Sequence, residues 1–299
     1  MGKYVIDGAH QRTLRSGALA FSAYEMGTGP LVLCLHGFPD TPRTYRLLLP
    51  ALADAGFRAV AVTSRGYEAS SRPKDDDYSL AALAGDVHDW MDALGADRAH
   101  LIGHDWGANL VYAAAASRPS RVDTLVTMAV PHPAAFAAAL AGDFKQMRRS
   151  WYVYLFQLRG VAEAAVRQGN FAFLERLWRE WSPDFDAAED VSGVLALFAE
   201  PGVLEAVLQY YRTAFDAAHP RASESVALLT RPIEAPTLGL CGADDGCIAA
   251  EIFEMAMPNE LFAGGVDVRR VANAGHFVHL ERPQEVASLI LSHLKGAGN

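Results

Sequence analysis

The chain has 299 residues, 51% hydrophobic and 20% charged, with a formal net charge of −9. This length and balance suit a globular protein with a large core, built as one α/β domain with an insertion, and exclude a disordered chain. The acidic balance and the lack of a basic stripe exclude general nucleic-acid binding, which needs clustered cations to meet phosphates.

The first residues, Met1-Gly2-Lys3-Tyr4-Val5-Ile6-Asp7, carry no long apolar core of a secretory leader, and position 6 lacks the Ser or Thr of an acylation signal. Ala18 to Glu25 reads as an early edge strand, followed by the turn Gly27-Thr28-Gly29-Pro30. Leu31 to Leu35 is a continuous apolar run of the kind buried on both faces. Thr44 to Ala55 places Tyr45, Leu48, Leu49 and Leu52 at helical spacing and stops at Gly56. Ala59 to Val62 is the next strand. Ser79 to Leu94 is a helix with Ser79 as N-cap and Gly95 beyond its end. A strand from Ala99 to Gly103, a helix from Ala108 to Ser117 and a strand from Leu125 to Val130 follow. From about Ala134 to Arg231 the strand signal vanishes. Aromatic-rich helical segments replace it at Trp151 to Gln168, Phe171 to Trp181, Ser192 to Phe198 and Gly202 to Phe215. Strands resume at Pro236 to Cys241 and Val266 to Val271, and a helix from Pro283 to Leu294 closes the chain.

This order predicts a mostly parallel sheet flanked by helices, with an all-helical cap inserted before the last two strands. The core is expected over 1–132 and 232–299 and the cap over 133–231. Such an insertion belongs over the carboxyl edge of the sheet, where open α/β sheets bind ligands.

Gly103-His104-Asp105-Trp106-Gly107 joins an apolar strand to a small-residue helix. It has the form of the nucleophile elbow of an α/β-hydrolase, a sharp strand-to-helix turn that exposes its central side chain. The centre is Asp rather than Ser. A carboxylate attacks saturated carbon and makes the enzyme itself an ester. The required partners follow in the order acid, then histidine: Asp245 after the strand ending at Cys241, and His276 after the last strand. In this triad Asp105 is the nucleophile, His276 activates water against the ester, and Asp245 orients His276. The oxyanion forms on Asp105 itself and needs backbone N–H donors, expected from Trp106 and from Phe38 in His36-Gly37-Phe38-Pro39. Asp244 and His279 are the rival acid and base. His36 and His104 are expected to bond backbone, and His132 to be structural.

At these residues the chain resembles the epoxide hydrolase and haloalkane dehalogenase branch of the α/β-hydrolase superfamily, over roughly residues 15 to 296. His36-Gly37-Phe38-Pro39 resembles the H-G-x-P motif. Ser64-Arg65-Gly66-Tyr67 with Ser70 resembles R-G-Y-G-x-S, with Glu68 in place of the second glycine, and Gly275-His276-Phe277 with Glu281-Arg282-Pro283 resembles the segment around the base. The resemblance implies two cap tyrosines that donate to the epoxide oxygen as the ring opens. Ser150-Trp151-Tyr152-Val153-Tyr154-Leu155-Phe156-Gln157 and Leu208-Gln209-Tyr210-Tyr211-Arg212 resemble those segments, and their register points to Tyr152 and Tyr211, with Tyr154 and Tyr210 as alternatives. Phe38, Trp106, Tyr152 and Tyr211 are then also the substrate-binding residues.

The resemblance thus implies hydrolysis of an epoxide to a vicinal diol without cofactor. The alternative is a haloalkane or haloacid dehalogenase using the same triad. It needs N–H donors for halide, for which Trp106, Trp151, Trp178 and Trp181 are candidates, while Phe38 offers no side-chain donor and Trp106 stands where fluoroacetate dehalogenases carry Arg. A non-catalytic binder of apolar ligands has no need of a matched base. Cys34, Cys241 and Cys247 lack C-x-x-C spacing and read as reduced thiols of a cytoplasmic protein, with no metal site expected. No apolar run reaches about 18 residues, so no membrane span is expected. The expected partners are a small apolar epoxide, water and at most a second copy of the chain.

Overall fold

In a computed structural model that describes residues 6–296, the apolar runs pair into one eight-stranded sheet. Its strands are β1 (His10–Ser16), β2 (Leu19–Met26), β3 (Leu31–Leu35), β4 (Arg58–Val62), β5 (Ala99–His104), β6 (Val122–Met128), β7 (Thr237–Gly242) and β8 (Val266–Val271). They lie in the order β1-β2-β4-β3-β5-β6-β7-β8. β2 is antiparallel to both β1 and β4, and every other pairing is parallel. Residues 1–5, which carry most of the leader and acylation reading, lie outside the described residues.

The helices are α1 (Leu48–Asp54), α2 (Leu80–Ala93), α3 (Trp106–Ser117), α4 (Pro133–Gly142), α5 (Phe144–Arg149), α6 (Trp151–Leu155), α7 (Val161–Trp181), α8 (Ala188–Phe198), α9 (Val203–Phe215), α10 (Ala222–Leu229), α11 (Ala250–Met255), α12 (Val278–Glu281) and α13 (Pro283–Gly296). Side chains alternate across a strand, so the central strands feed two cores. Leu33, Leu35, Leu101 and Leu125 pack under α2 and α3 with Leu83, Trp90, Leu110 and Val111. Val32, Cys34, Ile102 and Val126 pack on the other face against Leu49 and Leu52 of α1 and Ile290 and Leu294 of α13. The continuous apolar runs therefore mark strands covered on both sides.

Between β6 and β7 lie seven helices, α4 to α10. Hydrogen bonds tie them to loops at the carboxyl ends of β3 and β4. The Trp178 indole donates to the Pro39 carbonyl (2.8 Å), the Tyr210 hydroxyl to the Arg65 carbonyl (2.7 Å), and Arg46 forms a bidentate pair with Asp190. Among the described residues no single helix is long and apolar enough to cross a membrane.

Four expectations needed revision. β1 was missed because only Leu14 of its seven residues is buried, as suits a polar edge strand. Its presence moves β2 from the edge to the interior of the sheet. The helix expected over Thr44 to Ala55 is a 3-10 turn, Pro42–Arg46, followed by α1. The segment Trp151 to Gln168 splits after Leu155, and α7 opens behind Gly160 at φ +78°, a backbone that glycine adopts without strain. The backbone leaves helical geometry again at Gln168–Phe171, where the sequence also places a border.

Candidate active site

Asp105 sits between β5 and α3 with φ 53° and ψ −119°, a strained conformation for a residue with a side chain. The turn is that sharp because its flanks carry no Cβ. A Cβ on Gly103 would strike the Gly107 carbonyl, and one on Gly107 the Leu35 carbonyl. A Cβ on Gly37 would meet the Asp105 carboxylate itself. The loop after β3 thereby comes close enough for the Phe38 N–H to donate to Asp105 Oδ1 at 2.7 Å. Trp106 follows as the first residue of α3, whose N-terminal N–H groups favour negative charge.

The other oxygen, Asp105 Oδ2, lies 3.5 Å from His276 Nε2. His276 Nδ1 faces Asp245 Oδ2 at 3.0 Å. The Asp245 carboxylate is held in turn through Oδ1, which accepts from the Cys247 and Ile248 amides at 2.7 and 3.1 Å. All three side chains are buried. The rival residues lie elsewhere: Asp244 is exposed, and His279 bonds the Thr44 hydroxyl at 2.6 Å. His36 accepts the Ser64 N–H on Nε2 and donates from Nδ1 to the Gly37 carbonyl, and His104 donates from Nε2 to the His276 carbonyl.

Tyr152 on α6 and Tyr211 on α9 line one cavity of about 400 Å³ with Asp105 and Trp106. The Tyr211 ring packs edge-on against Phe38 (5.4 Å) and Trp106 (5.1 Å), and the two tyrosine rings are 6.0 Å apart. The Tyr211 hydroxyl is buried without a hydrogen-bond partner. Tyr154 is 44% exposed and does not line the cavity. Tyr210 does line it, but its hydroxyl is spent on Arg65. The residues that set the sequence register hold the two segments together: Arg212 donates to the Phe156 carbonyl (2.8 Å), and Gln157 to the Tyr211 carbonyl (3.3 Å).

A family model described as the alpha/beta hydrolase fold matches residues 30–283. Epoxide hydrolase 2 of Caenorhabditis elegans is 31% identical over 266 residues, covering 86% of this chain and 72% of the relative. The chain belongs to the epoxide hydrolase family of the α/β-hydrolase superfamily. An epoxide hydrolase of Caballeronia sordidicola is 29% identical, covering 97% of this chain and 95% of its own. The crystal structure of epoxide hydrolase A from Mycobacterium thermoresistibile superposes with a TM-score of 0.80 at 30% identity, covering 96% of this chain and 98% of that one.

The site of this hydrolase also uses residues that sequence reasoning passed over. Gln146 of α5 is buried and grips the loop after β7: its Nε2 donates to the Cys247 carbonyl (2.8 Å), and its Oε1 accepts from the Ala249 amide (3.1 Å). Arg149 donates to the Asp245 carbonyl at 2.6 Å. The Cys247 thiol meets the Tyr152 hydroxyl at 3.4 Å. A lone Gln or Cys carries no spacing signal, so nothing in the sequence singles these out.

Burial works against a charge on His276, but the charge of Asp245 and the hydrogen bond to Asp105 outweigh it and raise His276 to about 10. The other buried histidines behave oppositely. Burial lowers His36, His88 and His132 to about 4 and His104 to about 3, and pushes His279 well down. Their sign follows from linkage. A histidine lowered in the fold gains its proton on unfolding between its ordinary value of about 6.5 and its folded value, so it costs stability as pH falls through that window. The contribution of His276 is fully present below about 6.5 and is lost as pH rises through about 10.

His132 isolates the effect, because both its ring nitrogens lack hydrogen-bond partners and it packs edge-on against Tyr112 and Phe262. His132→Phe is expected to reduce proton uptake on unfolding by about one between pH 6 and 4.5. Urea unfolding at several pH values measures this, and an unchanged slope against pH defeats the assignment.

Proposed function

We propose that this hydrolase opens an epoxide to a vicinal diol through a covalent ester on Asp105. The observation that carries the reading is the pair of buried phenols, Tyr152 and Tyr211, in the same cavity as the Asp105 carboxylate. Asp105 Oδ1 is engaged by the Phe38 N–H, which leaves Oδ2 to attack carbon. As the C–O bond breaks, the ring oxygen takes a proton from a tyrosine hydroxyl. Oδ1 becomes the ester carbonyl oxygen, already at the Phe38 N–H and beside the start of α3, where Trp106 supplies the second donor of the oxyanion hole.

Ester formation removes one of the two carboxylate charges, those of Asp245 and Asp105, that hold a proton on His276. Its affinity for that proton falls, the proton passes to the tyrosinate left by ring opening, and Nε2 becomes a base. It takes a proton from water as water attacks the ester carbonyl, with Asp245 stabilising the imidazolium. Collapse of the tetrahedral intermediate expels the alkoxide, which takes the proton of the newly added hydroxyl to give the diol; the Asp105 carboxylate is restored and His276 is again protonated. No cofactor enters these steps.

The core of 1–132 and 232–299 carries the triad, and the helices of 133–231 act as a cap that brings the phenols and excludes water. Phe136, Leu140, Val226 and Leu229 line the cavity and support an apolar epoxide as substrate. The three free buried cysteines support a reducing, cytoplasmic setting. A halide site is less well supplied: the Trp178 N–H is taken by Pro39, and Trp151 is 40% exposed.

Incubation with styrene oxide and, separately, 1-bromobutane tests the reading. Diol without bromide is expected, and bromide with alcohol but no diol would make the chain a dehalogenase. Tyr152→Phe with Tyr211→Phe is expected to slow ester formation by roughly 10²–10⁴-fold, the range of general acid catalysis, with each single variant less affected. Stopped-flow measurement of the alkylation phase checks this, and a double variant within about threefold of wild type removes the phenols from the mechanism.

A further inference from the structure

The cysteine spacing offers no metal motif, yet the fold brings Cys247 to the Asp245–His276 pair. One ligand-capable atom from each of Asp245, Cys247 and His276 lies within 4.8 Å of the other two, and all three side chains are buried. His276 Nδ1 and Asp245 Oδ2 are 3.0 Å apart. Two ligands each about 2.1 Å from one tetrahedral divalent ion stand roughly 3.4 Å apart, so the pair needs to open by only about 0.4 Å to seat one. The Cys247 sulfur sits against the Tyr152 hydroxyl, and Cys247 lines the same cavity as Asp105, which gives an ion a route from solvent. Tyr211, which lines the same cavity, has a hydroxyl buried without a hydrogen-bond partner.

We propose that Cys247, His276 and Asp245 bind a thiophilic divalent cation such as Zn²⁺ or Cd²⁺, and that this ion inhibits the enzyme. The Cys247 S–H and the Nδ1–H of the His276 imidazolium each give a proton to solvent, metal–sulfur and metal–nitrogen bonds form, the imidazole keeps its Nε2 proton, and nothing is oxidised or reduced. With the metal between His276 and Asp245 the imidazole is no longer held by its carboxylate, and ester hydrolysis stops. Thiolate ligation selects soft and borderline ions over Mg²⁺ and Ca²⁺, which prefer all-oxygen shells. The binding follows from the geometry alone, whereas the inhibition rests on the proposed hydrolysis.

The test is a titration of the full chain with Cd²⁺ and, separately, Mg²⁺, in wild type and in Cys247→Ala and Cys247→Ser. Binding is read from the ultraviolet thiolate-to-metal charge-transfer band and by calorimetry. Inhibition is read from diol formation, normalised to the metal-free rate of each variant. One Cd²⁺ per chain is expected, with the band absent from both variants, inhibition reversed by EDTA, and at least about tenfold weaker inhibition once the sulfur is lost. Mg²⁺ is expected to do nothing. Wild type without the band, or variants that bind and are inhibited as wild type is, overturn the site. A chain that binds Cd²⁺ through Cys247 yet turns over no epoxide upholds the site and overturns the reaction instead.

Discussion

Asp105→Asn is expected to lower steady turnover of an epoxide by roughly 10⁴- to 10⁶-fold, about 5–8 kcal/mol of transition-state stabilisation. The amide matches the carboxylate in shape, so the Phe38 N–H keeps an acceptor and the strained elbow should persist. What disappears is the anionic oxygen that attacks carbon, and with it one of the two carboxylate charges, beside Asp245, that keep His276 protonated in the resting enzyme. The loss is therefore one of chemistry rather than folding, and thermal melting should stay close to wild type. Intact-mass spectrometry belongs in the experiment, because slow hydrolysis of the new amide would return the carboxylate and some activity. Undiminished turnover without that mass change would remove Asp105 as the nucleophile.

His276→Gln is expected to separate the two half-reactions. Attack by Asp105 needs no base, so one equivalent of epoxide should still be consumed. Water attack does need one, and its loss should slow ester hydrolysis by roughly 10²–10⁴-fold. The ester should then accumulate, and the intact chain should gain the mass of one epoxide, localised by peptide mapping to the segment holding Asp105. Asp245→Asn should act in the same direction but more weakly, since it leaves the imidazole in place without its orienting charge. A His276→Gln chain that is slow but carries no adduct would move the base elsewhere, and His279 is a poor substitute because its Nε2 is bonded to Thr44.

The proposed triad is legible in the sequence because each of its members follows a strand on the same edge of the sheet. β5 runs into Asp105, β7 ends three residues before Asp245, and β8 ends five residues before His276. A parallel sheet puts all three loops on one side, so chain order alone brings the residues near one another. The choice between neighbours was harder. Asp244 and Asp245 are adjacent, and local pattern says little about which turns inward. In the fold the Cys247 and Ile248 amides engage Asp245, while Asp244 is left exposed.

The helical insertion between β6 and β7 shows the limit of local pattern more sharply. Tyr152 and Tyr154 lie two apart on one helix, and Tyr210 and Tyr211 are adjacent, so helical periodicity separates the members of each pair but cannot say which face meets Asp105. That depends on how α6 and α9 pack on each other, through Arg212 to Phe156 and Gln157 to Tyr211, and on the Tyr210 bond to Arg65. Gln146 and Cys247 were invisible for the same reason: each acts on a partner about a hundred residues away, Gln146 on the loop after β7 and Cys247 on Tyr152.

The sequence by itself determined the order of strands β2 to β8, the elbow with its carboxylate, and the placement of Asp245 and His276 after strand ends, because these follow from short-range periodicity and backbone geometry. Only the tertiary structure decided which tyrosines of the helical insertion share a cavity with the carboxylate, which outer strand closes the sheet, and which thiol lies near the histidine. Those outcomes rest on contacts between segments far apart in the chain, whose energies no local pattern records.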